Sequence, residues 1–451
     1  MNHSASNIRT IGLFTATAIV VANMIGTGVF TSLGFQVLHL RSAFPLLMLW
    51  VVGGIIALCG ALTYGELGAA LPRSGGEYHL LTKIYHPALG FLSGWISVTV
   101  GFAAPAALAA IALSTYLQAL FPGLPVQHVA AAVVVLFTIV HSVSLKVGSY
   151  SHNFFTIFKV LLILVFVAAG YGLEQAQSIS LAPRSGDLGL MPTPGFAVSL
   201  IYVSFAYAGW NAAIYVAGEL KRPQQNLPKA LFLGTLLVLV LYFFLNYIFL
   251  YTVPMAELSG RIQIGYLSGA RIFGETGGQI MAAIIAFLLV STVSGHVFVG
   301  PRITQVMGED YRALRILGKR AENGLPVNSF LFQLIIMLML IYTSSFEQVM
   351  VYAGFTLNLV TTLTVAGVFV LRARAPHLPR PYKTWGYPFT PILFLVMSVW
   401  TLAFVMVDKP RESAIGLALV VLGLGVYFID RRIARPSMAT RAQSTVESVD
   451  G

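Results

Sequence analysis

The sequence predicts an all-α integral membrane protein of twelve transmembrane helices, with a 5+5 inverted repeat and discontinuous helices one and six. Three observations carry that prediction. Of 451 residues, 57% are hydrophobic and only 10% charged, and mean hydropathy is +0.82, which excludes a soluble globular domain. Apolar runs near or above the roughly 20 residues that cross a bilayer follow one another along the chain. Two of those runs are interrupted by glycine in matching positions of two halves, the sequence pointer to a transporter binding site.

The first run, Thr10–Leu38, holds no charged residue, yet Asn23-Met24-Ile25-Gly26-Thr27-Gly28-Val29-Phe30 lies at its centre. Glycine weakens a helix there. Unpaired backbone in hydrocarbon costs several kcal/mol per group, so a broken helix persists only beside protein or a water-filled cavity. On this stretch alone, Gly26 and Gly28 fit equally well as small residues that let another helix pack closely. The runs Phe44–Tyr64, Ala88–Phe121, Leu124–Val140 and Asn153–Leu173 follow. The sixth, Thr193–Gly218, is again uncharged and contains Phe205-Ala206-Tyr207-Ala208-Gly209-Trp210-Asn211. Ala230–Met255, Gln279–Gly300, Leu325–Phe346, Gln348–Leu371, Trp385–Val407 and Ser413–Ile429 complete the twelve.

These runs compose one transmembrane domain over residues 1–435. Its inverted halves, about 10–173 and 193–371, superpose because five spans is an odd number, and two additional helices lie at about 385–429. Residues 436–451 form a polar cytoplasmic tail that is expected to be disordered. The stretches Glu174–Pro194 and Glu257–Glu275 read as outside loops.

A net charge of +11 invites a nucleic-acid partner, but the basic residues sit in short connections rather than one patch, so none is expected. Twenty Lys/Arg fall on the side of the termini and six on the opposite side, which makes both termini cytoplasmic in a cell (inner or plasma) membrane. The remaining basic residue, Lys159, lies inside a span. Met1–Arg9 lacks a basic n-region, short h-region and cleavage site, so the first run is a mature span rather than a signal peptide. The single cysteine, Cys59, permits no intramolecular disulfide and no cysteine metal cluster. His141 and His296 have no metal-ligand spacing, and no metal or cofactor is expected. Glu66, Glu77 and Glu219 are expected to pair with nearby Arg or Lys at cytoplasmic helix ends.

A helix broken in mid-membrane exposes N–H groups on its following half and C=O groups on its preceding half; the first attracts a carboxylate, the second an ammonium group. Two facing breaks therefore hold both ends of a zwitterionic amino acid. Thr27 and Gly28 would offer backbone N–H groups, and Thr27 its hydroxyl, to the carboxylate. The carbonyls of Met24, Phe205, Ala206 and Ala208 would face the amine. Ile25, Gly26 and Asn211 complete the expected substrate-binding set, and core packing is the alternative for Phe205, Tyr207 and Trp210.

Met24-Ile25-Gly26-Thr27-Gly28-Val29-Phe30 resembles the first-helix glycine motif of the amino acid–polyamine–organocation transporter superfamily. Ala206–Asn211, Glu219-Leu220-Lys221-Arg222-Pro223 and Asn226-Leu227-Pro228 look like its L-type amino acid transporter branch. Gly65-Glu66-Leu67, Pro72-Arg73-Ser74-Gly75-Gly76-Glu77-Tyr78, Arg380-Pro381-Tyr382-Lys383 and Trp385-Gly386-Tyr387-Pro388 resemble that branch too. The resemblance covers about Ile11 to Ile429 and implies twelve helices, alternating access and amino acid transport. Thr27 replaces the usual serine and Ala208-Gly209 the usual Gly-Gly, which hints at a smaller substrate, though one methyl shifts discrimination by only about 1–3 kcal/mol.

In the resembled family a lysine at the place of Lys159 stands where sodium-coupled relatives bind a cation. It implies a gating or coupling role, tethering the first helix near Gly26 or neighbouring carbonyls, against snorkelling to the interface. Tyr242 resembles a family tyrosine beside the first break, though from sequence alone it fits core packing equally well, and Phe205 joins both as a gating candidate. The resemblance further implies a disulfide-linked heavy chain for animal members, but Phe121–Gln127 contains no cysteine, so no such subunit is expected here. The expected function is sodium-independent exchange or permeation of small or medium neutral L-amino acids. Alternatives are a carrier of cationic amino acids or polyamines on the same fold, a membrane-embedded enzyme, or a channel. No His, Asp or Cys grouping supports the enzyme, and the paired breaks disfavour the channel.

Overall fold

Apolar periodic runs become helices, and each of the twelve expected runs has one. The computed structural model describes residues 9–143, 151–173, 176–321 and 324–434. Among these residues ten helices are long and apolar enough to span a membrane, and two shorter apolar helices, Phe155–Tyr171 and Val327–Thr343, match the fifth and ninth runs. The protein is a multi-pass membrane protein. One parallel bridge, Ile11 to Leu220, is the isolated β-pairing among the described residues; it ties the start of the chain to the end of helix six.

Helix one is divided into α1 (Leu13–Met24), α2 (Thr27–Thr31) and α3 (Leu33–His39). Helix two is α4 (Ala43–Ala70), and the short α5 (Gly76–Ile84) follows it. Helix three comprises α6 (Pro87–Ile96), a π-helical turn at Ser97–Gly101 and α7 (Ala103–Leu120). Helices four and five are α8 (Val126–Val143) and α9 (Ser151–Tyr171). After the single turn α10 (Asp187–Leu190), helix six consists of α11 (Pro194–Tyr207) and a 3-10 segment, Ala212–Glu219. Thr193 fixes the start of α11: its hydroxyl accepts from the Phe196 N–H at 3.4 Å, and Pro194 occupies the first helical position.

Helix seven is α12 (Pro223–Thr252), followed by the turn α13 (Met255–Leu258) and helix eight, α14 (Ile264–Asp310). The chain closes with α15 (Arg315–Gly318), α16 (Val327–Thr343), α17 (Phe346–Arg374), α18 (Phe389–Asp408) and α19 (Pro410–Ala434). Ser345 and Gln348 form a reciprocal capping box that opens α17.

Helix eight differs most from expectation. The stretch Glu257–Glu275, expected to be a loop, is largely helical, made of the end of α13 and the first part of α14, which kinks at Gly274 (φ +77°). Its polarity reflects surface exposure rather than irregular backbone, as in the Arg271–Glu257 ion pair at 2.7 Å. Helix seven begins at Pro223, earlier than Ala230, because a proline is well accommodated in a first turn. Lys146 and the tail 436–451 lie outside the described residues.

Two groups of helices pack the core. In one, α12 lies against α4 and α1, and α4 against α11; in the other, α7 lies against α14 and α8, and α16 against both α7 and α8. The alanines of α7 from Ala103 to Ala112 are fully buried, and such small side chains let neighbouring backbones approach. The α2 segment touches α11 as well as α7 and α14, so the first break stands where the two groups meet.

Candidate functional site

Only Ile25 and Gly26 leave helical form between α1 and α2. The Ile25 N–H still donates to the Val21 carbonyl at 2.9 Å, and no side chain caps α2 at Gly26. The N–H groups of Thr27 and Gly28 thus open α2 without a side-chain acceptor at the cap. In helix six the break runs from Ala208 to Asn211. The Ala208 N–H donates to the Phe205 carbonyl at 3.1 Å, Ala212 N–H to the Gly209 carbonyl at 2.9 Å, and Gly209 takes φ +105°.

The two breaks touch. A Cβ on Gly28 would lie 2.5 Å from Ala206 Cα, and one on Gly209 would lie 2.9 Å from the Asn23 carbonyl carbon. Neither position has room for a side chain. Gly26 is different: the nearest atom to a Cβ there is Thr292 Cγ2 at 3.8 Å. Close packing and helix breaking therefore both operate, each at its own glycine.

Two polar side chains hold this junction from behind. The Tyr242 hydroxyl, on a fully buried residue of α12, lies 2.5 Å from the Met24 carbonyl and 3.1 Å from the Ala206 carbonyl. One proton donates to one oxygen at a time, so the hydroxyl links the ends of both broken helices. Lys159, 5% exposed on α9, donates its ammonium to the Ile25 carbonyl at 2.8 Å. An isolated buried ammonium is expensive; here the carbonyl freed by the break is its partner.

The expected site residues are brought together unevenly. Met24, Ile25, Gly26, Thr27, Gly28, Phe205, Ala206 and Ala208 converge on the junction. Of the four carbonyls expected to face an amine, those of Met24 and Ala206 receive the Tyr242 hydroxyl and that of Phe205 receives the Ala208 N–H. Asn211, expected among the substrate contacts, instead donates its Nδ2 to Glu77 Oε1. Core packing describes Tyr207 and Trp210. The Tyr207 hydroxyl donates to the Trp50 carbonyl at 2.9 Å, and the Trp210 ring meets Tyr64 edge-on at 4.7 Å. Phe205 is 8% exposed within the core.

Above the junction, on the side away from the chain start, the path is covered. A Cβ on Gly34 would lie 2.1 Å from the Arg261 carbonyl oxygen, so the loop after α13 sits directly on α3. Phe35 stacks on Phe346 at 5.8 Å, and the Tyr202 hydroxyl donates to Glu347, which also receives Lys409 at 3.1 Å. Below it, Asn23 is exposed, and Gly26, Ala208, Thr292 and His296 are partly exposed. His296 Nδ1 meets the Thr292 carbonyl at 2.8 Å, and the ring faces Phe102; sequence reasoning assigned this histidine nothing, and only the fold brings helix eight to Gly26.

The three glutamates behave differently from one another. Glu66 pairs with Arg372 at 2.7 Å and Arg380 at 3.6 Å, as its expected partnership with arginine requires, and Thr384 adds two bonds. Glu219 is exposed. Glu77 corrects the expectation: none of the ion pairs among the described residues includes it, and its partners are Tyr64, Asn211 and Tyr215.

Residues 11–427 match the family described as amino acid permease. The chain belongs to that family. Among its relatives is the mouse large neutral amino acids transporter small subunit 2, 31% identical over 438 residues that cover 93% of this chain and 81% of the relative. The human protein of the same name is also 31% identical. The mouse b(0,+)-type amino acid transporter 1 is 28% identical over 447 residues, 95% of this chain and 91% of its own. The permease is thus an amino acid transporter of the L-type branch, not an enzyme.

Proposed function

We propose that the permease carries small or medium neutral L-amino acids by alternating access without sodium, the substrate lying between the two breaks. The inverted repeats at about 10–173 and 193–371 supply one broken helix each. Its carboxylate takes the N–H groups of Thr27 and Gly28 and the Thr27 hydroxyl; its ammonium takes the Ala208 carbonyl and lone pairs left on the carbonyls of Met24, Phe205 and Ala206. The observation that carries this reading is the contact of the breaks through Gly28 and Gly209 beside an uncapped α2 start. Donors of one helix and acceptors of the other then stand within one amino acid's reach.

Selectivity follows from charge. A cationic side chain or a diamine needs a free buried carboxylate. Glu77 is the buried acid nearest in sequence contact to the second break, through Asn211, and three donors already engage it. Lys159 places a fixed positive charge on the first helix, which removes the need for a bound cation. Thr27 and Ala208 favour alanine-, serine- or threonine-sized ligands. The side to which the sequence assigns twenty of the 27 basic residues, Arg9 among them, is cytoplasmic. The absence of cysteine from Phe121–Gln127 and the burial of Cys59 (8% exposed) support a carrier that works without a disulfide-linked subunit, although one relative's name calls it a small subunit.

Uptake into proteoliposomes holding the chain purified alone tests all of this. Labelled L-alanine should exchange against internal L-alanine equally in sodium, potassium or choline. Steep sodium dependence would remove the role given to Lys159, and stronger competition by arginine or putrescine than by alanine would end the neutral-substrate reading. Activity appearing only with a second protein would overturn self-sufficiency.

A further inference from the structure

The segment Ser74-Gly75-Gly76-Glu77 grips the inner half of helix six at three points. The Gly218 N–H donates to Ser74 Oγ at 3.1 Å, and the Gly75 N–H to the Tyr215 carbonyl at 3.4 Å. Glu77, 3% exposed, receives the hydroxyls of Tyr215 and, at 3.2 Å, of Tyr64, together with Asn211 Nδ2. Glycine is required for this approach: Gly76 has φ +56°, and a Cβ there would lie 2.4 Å from the Tyr215 ring. A buried carboxylate without a cation is stable only when its lone pairs are filled by good donors, and here three donors fill them.

The donors come from different parts of the fold. Tyr64 belongs to α4, Asn211 adjoins the break itself, two residues past Gly209, and Tyr215 lies in the 3-10 segment. Glu77 stands at the start of α5, which packs on α6 and α17. The carboxylate therefore joins the movable inner half of a broken helix to a neighbouring body of the protein. Gln-like neutrality would not suffice. An amide at position 77 would keep one acceptor oxygen for Tyr64 and Asn211, but its NH2 would force the Tyr215 hydroxyl to turn from donor to acceptor and would replace charge-assisted bonds with weaker neutral ones.

We propose that Glu77 is a positioning residue of the transport cycle, a carboxylate latch that holds the inner half of helix six through Asn211 and Tyr215. This rests on the alternating-access reading above: one half of helix six must shift for substrate to leave on the side of the chain start, and the latch sets which position it keeps. Glu77 touches no substrate. Its loss should therefore lower the rate of the cycle and leave recognition at the outer side alone.

The test uses the full chain in proteoliposomes with labelled L-alanine, and a conformational reporter that needs no substrate. Glu77→Gln should lower the maximal exchange rate at least tenfold while the KM measured from outside stays within twofold. The exchanged pair Glu77→Gln with Asn211→Asp returns one carboxylate and one amide to the same cluster and should recover the rate to within about threefold. In a Cys59→Ser background, Ala212→Cys should react with a hydrophilic thiol reagent several times faster when Glu77→Gln is present. Tyr215→Phe, which removes one donor and no charge, should show the same changes at smaller size and covers the case in which Glu77→Gln fails to insert. An unchanged rate in Glu77→Gln, no recovery in the exchanged pair, or unchanged thiol reactivity would each overturn the latch. If wild type carries no alanine, the substrate reading fails, and the thiol reporter still decides the latch by itself.

Discussion

Lys159 and Glu77 are two buried charges of opposite sign, and each ties down one broken helix. Lys159, from helix five, donates to the Ile25 carbonyl beside the first break. Glu77, from the segment after helix two, accepts from Asn211 beside the second. The lysine answers a backbone group that the break has orphaned. The carboxylate answers side chains only, with the adjoining backbone held separately through Ser74 and Gly75. A break in a membrane helix can thus be stabilised either by satisfying its freed carbonyl or by fastening the half-helix that follows.

The largest expected effect probes the contact that both ties serve. Gly28→Ala or Gly209→Ala pushes one backbone off the other, at 2.5 and 2.9 Å, and should abolish exchange and lower thermal stability in detergent. Survival of either variant with normal exchange would mean that the breaks need not touch. Lys159→Ala comes next. It leaves the Ile25 carbonyl without its partner, a loss of about 1–3 kcal/mol, so turnover should fall roughly ten- to a hundredfold by the same scale while membrane insertion continues. Normal turnover would show that the ammonium merely occupies space.

Tyr242→Phe should cost less, about tenfold in turnover, because one of the carbonyls it serves was never its full partner. Steady-state exchange of alanine would show it, and an effect larger than that of Lys159→Ala would reverse the ranking of the two supports. Gly26→Ala is the smallest. With 3.8 Å to the nearest atom and no positive φ, it should fold and melt like wild type and raise KM for alanine a few-fold. A melting temperature several degrees lower would return Gly26 to the role of packing residue.

Much of this comparison was readable from sequence on one side only. Lys159 is a lone charge in an uncharged run, and the price of such a charge in hydrocarbon makes it conspicuous. Glu77 sits in a polar stretch with Arg73 and Lys83 close by, so local sequence points to an ion pair. The fold instead brings Tyr64 from α4 and Tyr215 from helix six, both long-range partners. The same reason hid Thr292, whose approach to Gly26 depends on the rotation of α14, and His296 one turn along the same helix. Hydropathy located all twelve spans, since length and apolarity are local properties. It misjudged Glu257–Glu275, where a surface-exposed helix is polar and so resembles a loop.

Backbone groups of the two breaks are proposed to hold both ends of an amino acid. Competition against labelled L-alanine by L-alanine, its methyl ester and its N-methyl derivative tests it most directly. Blocking the carboxylate should remove the partner of the Thr27 and Gly28 N–H groups, and crowding the nitrogen should disturb the carbonyl side, so each analogue should compete at least tenfold more weakly than alanine. Equal competition by the ester and the N-methyl compound would contradict the two-ended site.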